Sequence, residues 1–133
     1  MKKISYELEC SLGAPGSAGP RRAAVARSFS ERFLGLMGQA GMPADAVLVF
    51  GRCKSVHTMH MRFPIDLIWL SPPDRDGCMR VLRTDAAMPP WRFAIGPAGA
   101  WGVAEVPAGA GPSEPGALLE MPALTASHAG RSL

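Results

Sequence analysis

Ile65-Asp66-Leu67-Ile68-Trp69-Leu70 is apolar on both faces of an extended strand, with one aspartate as the exception. A strand of that kind is covered on both sides, so this segment must run through the middle of the molecule. Pro64 stands just before it; lacking an N–H for the ladder, it belongs at a strand start, an edge or a bend. The approach to the run is crowded with polar chemistry. Cys53, His57, His60, Arg62 and Asp66 fall within fourteen residues, and polar groups at the mouth of a buried strand are costly unless partnered.

The rest of the chain reads as further short strands. Fifteen glycines and thirteen prolines in 133 residues are too many for a helical bundle. Ile4, Tyr6, Leu8 and Cys10 alternate with polar residues, the period of a half-buried strand, and Gly13 to Pro20 then breaks it. Ala23–Arg27 is a weak strand, Val47–Phe50 a buried one, and Lys54–Met61 a further one. Pro72-Pro-Asp-Arg-Asp-Gly77 is a turn that makes Cys78–Arg83 the hairpin partner of the central run. Ala86–Gly99 is a proline-containing loop carrying Trp91 and Phe93, and Trp101–Val106 forms a last strand.

One helix is expected. Ser28-Phe-Ser-Glu31 is a capping box, Phe29, Phe33, Leu36 and Met37 share one face, and Gly38 or Gly41 ends the segment before Pro43. The expected fold class is therefore α+β: a compact β-rich domain with a mostly antiparallel, partly closed sheet and one main helix packed on it. Residues 1–109 would form this single domain. The Gly/Pro/Ala-rich residues 110–133 would be a loosely ordered tail.

Charge narrows the function classes. The net charge is +3 with scattered basic residues, without the dense basic stripe or reading motif of a nucleic-acid binder, so nucleic acid is not an expected partner. No apolar run is long enough to cross a bilayer, and Glu7 and Glu9 interrupt what a secretory core would need. Three cysteines without a C-x-x-C read as reduced thiols in a cytoplasmic protein.

Cys53-x3-His57-x2-His60 with Asp66 resembles a zinc ligand set in composition, but strand parity turns His60 away from His57 and no second ligand pair follows. No metal or cofactor is expected. A catalytic reading would make His57 an acid or base, Asp66 its orienter and Cys53 or Thr58 a nucleophile, yet no elbow or phosphate-cradling loop accompanies them. A binding reading takes His57, Thr58, Arg62 and Asp66 as polar fixtures, with Trp91 among the apolar walls. A structural reading has Asp66 accept turn N–H groups, with Arg62 as its ion partner.

Glu31-Arg-Phe-Leu-Gly-Leu-Met37 resembles the ER-x-x-GLM helix of the bacterial family called domain of unknown function 192. Ser55-Val-His57-Thr58 and Met61-Arg-Phe-Pro64-Ile-Asp66 resemble its central signature, and Val103-Ala-Glu105-Val-Pro-Ala-Gly109 its closing element. The resemblance covers residues 23–109 and implies the β-rich domain with its packed helix; it implies no activity. The expected function is a small binding or accessory module for an unknown small molecule or protein, with a polar site at the mouth of the central strands. The alternatives are a hydrolytic or metal-assisted enzyme using His57 and Asp66, and a purely structural domain.

Overall fold

In the computed structural model, residues 4–26, 40–59, 61–112 and 116–125 are described. They form nine strands: β1 (Leu8–Gly13), β2 (Gly19–Val25), β3 (Ala46–Phe50), β4 (Ser55–His57), β5 (Ile65–Leu70), β6 (Cys78–Met88), β7 (Phe93–Ile95), β8 (Gly102–Pro107) and β9 (Leu118–Glu120). Seven close into a barrel in the order β1-β2-β3-β8-β5-β6-β9, and β4 pairs with β7 in a separate two-stranded flap. The neighbours are antiparallel except β2 and β3, which run parallel.

The central run occupies the place its composition demands. β5 lies between β6 and β8 and is buried at all six positions. Alternation splits its side chains between two cores. Ile68 and Leu70 join Val47, Val49, Ala104 and Val106 in a cluster fed by every barrel strand, which is the barrel interior. Ile65, Leu67 and Trp69 point the other way, against Leu48, Phe50 and Val103 and under Val56 and Ala94 of the flap. A barrel this narrow is filled by side chains rather than by solvent.

This architecture corrects the α+β expectation with its partly closed sheet. Every regular element among the described residues is a strand, and the sheet closes, so these residues form an all-β closed barrel. The helix expected from Ser28 lies outside the described residues. Closure depends on β9, whose three residues pair with β1 on one side and β6 on the other. It sits in the segment whose composition suggests a loosely ordered tail, yet Leu119, Met121 and Leu124 are buried in the barrel interior. Three residues between glycines and prolines carry too little periodicity to announce a strand.

Candidate functional site

Asp66 sits where the β5–β6 ladder slips. Ile65 faces Met88 and Leu67 faces Asp85, so Ala86 and Ala87 together oppose one residue of β5. This is a β-bulge, and Ala87 takes a left-handed φ of 52° within it. The bulge strips Ala87 of a ladder partner, and Asp66 supplies one: Oδ1 accepts the Ala87 N–H at 2.7 Å. Oδ2 accepts two more N–H groups from the turn after β8, Gly109 at 3.1 Å and Gly111 at 2.9 Å. Gly111 is the residue that fits there, because a Cβ at that position would stand 2.8 Å from the same carboxylate oxygen. Asp66 is 2% exposed. Its carboxylate is met by backbone N–H groups and not by Arg62, whose side chain is exposed to solvent. An open groove of ≈ 610 Å³ beside Asp66 is lined by Thr84, Ala87, Gly109, Gly111 and Pro112, among others; His57, Thr58, Arg62 and Trp91 take no part in it.

Thr58 does a similar job a few residues earlier in the chain. Its hydroxyl donates to the Pro89 carbonyl at 2.7 Å and accepts the Arg92 N–H at 2.8 Å. Its own N–H donates to the Arg92 carbonyl, and its carbonyl accepts the N–H groups of Met61 and Trp91. Asp66 and Thr58 therefore fasten the β6–β7 connection at two points, Ala87 and Pro89–Arg92. Replacing Thr58 with Val removes the hydroxyl at nearly constant volume. It should cost about 1–3 kcal/mol, the penalty for leaving buried polar partners unmatched, while Thr58→Ser should recover most of it. Urea denaturation of the two variants checks this.

The connection so held delivers the flap. His57 faces Phe93, Val56 faces Ala94 and Ser55 faces Ile95. Strand parity turns Val56 and Ala94 toward the barrel and leaves Phe93 and Ile95 outward, 62% and 65% exposed. Trp91 precedes them in a left-handed conformation, φ 66°, with its N–H on the Thr58 carbonyl and its side chain 58% exposed. Met59, two residues beyond β4, is 43% exposed. The flap is secured at its far end as well. Arg83 donates to the Ile95 carbonyl at 2.6 Å, is gripped by the Asp85 carboxylate at 2.9 and 3.0 Å, and lies over the Trp69 ring. Asp85 also accepts the Trp69 indole N–H at 2.9 Å, so one acid fixes both the core tryptophan and the flap. Gly96 packs so closely on Trp69 that a Cβ there would meet the ring at 2.5 Å.

The residues expected to share one site are thus divided. Asp66 and Thr58 are consumed by backbone, Trp91 is displayed on the flap, His57 is half-buried in β4, and Arg62 is exposed in the turn before β5. His57 and Asp66 do not hydrogen-bond to each other, because the carboxylate is engaged by Ala87, Gly109 and Gly111. The Cys53 thiol donates to the Ser55 carbonyl at 3.1 Å. Among the described residues no group of three or more His, Cys, Asp and Glu is placed to hold a metal; His60 lies outside them.

One buried acid has no role assigned to it by sequence. Glu105 lies in the middle of β8, opposite Leu48 on β3 and Leu67 on β5, and is buried on the outer face of the barrel wall. Burial in this apolar setting pushes its carboxyl up to about 8. Tyr6, from the segment preceding β1, packs on the same cluster with its buried hydroxyl unmatched. Its phenol is pushed up to about 12, mainly by burial and secondly by the charge of Glu105. A lone acid within Val-Ala-Glu-Val is the signal that marks Glu105, the same kind of signal that marks Asp66.

The sequence model of the uncharacterised ACR family, domain of unknown function 192, matches residues 13–113. The chain belongs to this family. The match takes in barrel strands β2, β3, β5, β6 and β8 and both strands of the flap, while β9 and all but the last residue of β1 lie outside it. Two solved structures share the fold. A Sinorhizobium meliloti protein described as a candidate transcription regulator is 21% identical with a TM-score of 0.75, over 90% of this chain and 98% of its own. A protein of unknown function from Novosphingobium aromaticivorans is 20% identical with a TM-score of 0.70, over 84% and 83%. At these identities the likeness is one of fold. No curated protein matches the chain. Among the described residues no helix is long and apolar enough to cross a membrane.

Proposed function

We propose that this member of the uncharacterised family is a binding module that docks an extended segment of another protein on the outer face of the β4–β7 flap. The observation that carries this reading is where the exposed apolar side chains lie. Met59, Trp91, Phe93 and Ile95 are the large hydrophobic residues exposed among the described residues, and all four belong to the flap or its turns. Scattered exposed apolar residues need no explanation, but four gathered on one braced two-stranded element and its turns mark a contact surface. Trp and Phe are also the side chains that supply most contact energy at interfaces.

The sequence-derived residues take new roles in this reading. Trp91 is a contact residue, His57 stands beside Phe93 on the same face of the β4–β7 pair, and Arg62 is an exposed cation before β5. Asp66 and Thr58 hold the connection that presents the surface, so less ordering is lost when a partner docks. Three cysteines, none of them in a disulfide, suit the reducing conditions of a cytoplasmic location, which is part of the proposal.

Selection from a random peptide display library tests the surface without knowing the partner. Wild-type protein should enrich peptides that fail to bind the Phe93→Ser/Ile95→Ser variant, while both proteins melt at similar temperatures because the substituted side chains are mostly solvent-facing. Enriched peptides that bind the variant equally well would refute the assignment.

A further inference from the structure

We infer that the flap selects an acidic, apolar-containing extended peptide, an inference that rests on the binding surface proposed above and adds the chemistry of its partner. The flap strands lie in the segments between β3 and β5 (residues 51–64) and between β6 and β8 (residues 89–101), and neither contains an aspartate or glutamate. Both carry cations: Arg52, Lys54 and Arg62 on the first and Arg92 on the second are exposed. The chain as a whole is nearly balanced, with 14 Lys and Arg against 11 Asp and Glu. A one-signed segment pair in such a chain is a local field, not a reflection of bulk composition.

The nearest acids in sequence do not neutralise it. Asp66 is buried and spends its carboxylate on three backbone N–H groups. Asp85 is held by Arg83 and Trp69. Glu105 is buried, and its burial favours the protonated, neutral form. Among the described residues of these two segments, the exposed charged side chains are therefore all cations, on the same segments as Met59, Trp91, Phe93 and Ile95. A partner that matches both features brings carboxylates and apolar side chains in alternation. An extended chain lays its apolar side chains on the patch, and its alternate carboxylates, at the edges of the contact, reach the neighbouring cations through their local field.

Single-stranded nucleic acid also pairs aromatic residues with cations. The flap favours the peptide on composition. Met59 and Ile95 have no π-face on which a base can stack, and the four scattered cations Arg52, Lys54, Arg62 and Arg92 form no dense basic stripe.

Fluorescence anisotropy with defined probes decides the matter on the full-length protein. The probes are labelled Asp-Phe-Asp-Leu-Asp-Phe-Asp-Leu, the same peptide with Ser or with Lys in place of Asp, and oligothymidine. The Asp peptide should bind about tenfold or more tighter than the Ser peptide, the Lys peptide should not bind, and affinity should drop between about 50 and about 500 mM salt as screening sets in. Lys54→Gln/Arg62→Gln/Arg92→Gln should remove most of the Asp-over-Ser preference, and Phe93→Ser/Ile95→Ser should abolish binding of both peptides. Equal affinity for the Asp and Ser peptides overturns the charge selectivity and leaves the surface standing. Tighter binding of oligothymidine than of the Asp peptide overturns the peptide assignment. Binding of the Asp peptide that ignores Phe93→Ser/Ile95→Ser removes both the selectivity and the surface beneath it.

Discussion

Asp66→Asn should destabilise the fold by on the order of 4 kcal/mol, the scale for breaking a buried charged network with its partners left in place. The reason is donor geometry. Oδ1 faces the Ala87 N–H and Oδ2 faces those of Gly109 and Gly111, so donors surround both oxygens. An asparagine has one oxygen, and whichever way the amide turns, its NH₂ must point at least one donor toward another. The carboxylate also ties together the bulge of β6 and the turn after β8, two places where the ladder alone leaves N–H groups unmet. Urea denaturation should show a lower midpoint with an unchanged slope. A variant as stable as the wild type would contradict this role for Asp66.

Stability should fall as pH rises through the neutral range, and Glu105→Gln should flatten that dependence. The sign follows from proton counts. The usual Glu value is 4.5 and the folded value is about 8, so between them the folded state keeps a proton that the unfolded state has lost. The Glu105 contribution is therefore greatest below about pH 4.5, declines from there and levels off above about pH 8. The full span amounts to several kcal/mol, because each tenfold difference in proton affinity between the two states is worth about 1.4 kcal/mol. Gln cannot ionise and fits the same space, so the variant should match the wild type in mild acid and exceed it by a few kcal/mol at pH 9. Denaturation midpoints of both proteins at pH 5, 7 and 9 read this out. Parallel pH profiles for the two would sink the assignment. Tyr6 and Cys10, raised to about 12 and about 11 by burial, act in the same direction but at higher pH.

What the sequence makes legible is the wall of the barrel. β5 lies where its two-sided apolar run puts it, β3 extends Val47–Phe50 by one residue, and the turn at Pro72–Gly77 joins β5 to β6. Two-faced apolar runs and strong turn signals are local, so one chain segment suffices to read them. Closure is not local. It rests on Leu118–Glu120 pairing with two strands distant in sequence, and nothing in three residues encodes those partners. The candidate site divides along the same line. That Asp66 and Thr58 need partners follows from polarity at a strand entrance; that the partners are Ala87, Pro89, Arg92, Gly109 and Gly111 depends on a bulge and on turns that no periodicity reveals. Trp91 and Phe93 fall in a stretch that reads as loop, because β7 is only three residues long. Its alternation becomes visible once β4 pairs with it and fixes which side is wet.

Amide hydrogen exchange with and without the Asp-Phe-Asp-Leu-Asp-Phe-Asp-Leu peptide addresses the claim that the flap, and not the polar mouth of β5, is where this protein meets its partner. Added protection should be confined to residues 55–59 and 91–96, with the amides of Ala87, Gly109 and Gly111 unchanged. Protection centred on those three amides and the groove beside Asp66, with none at the flap, would contradict it.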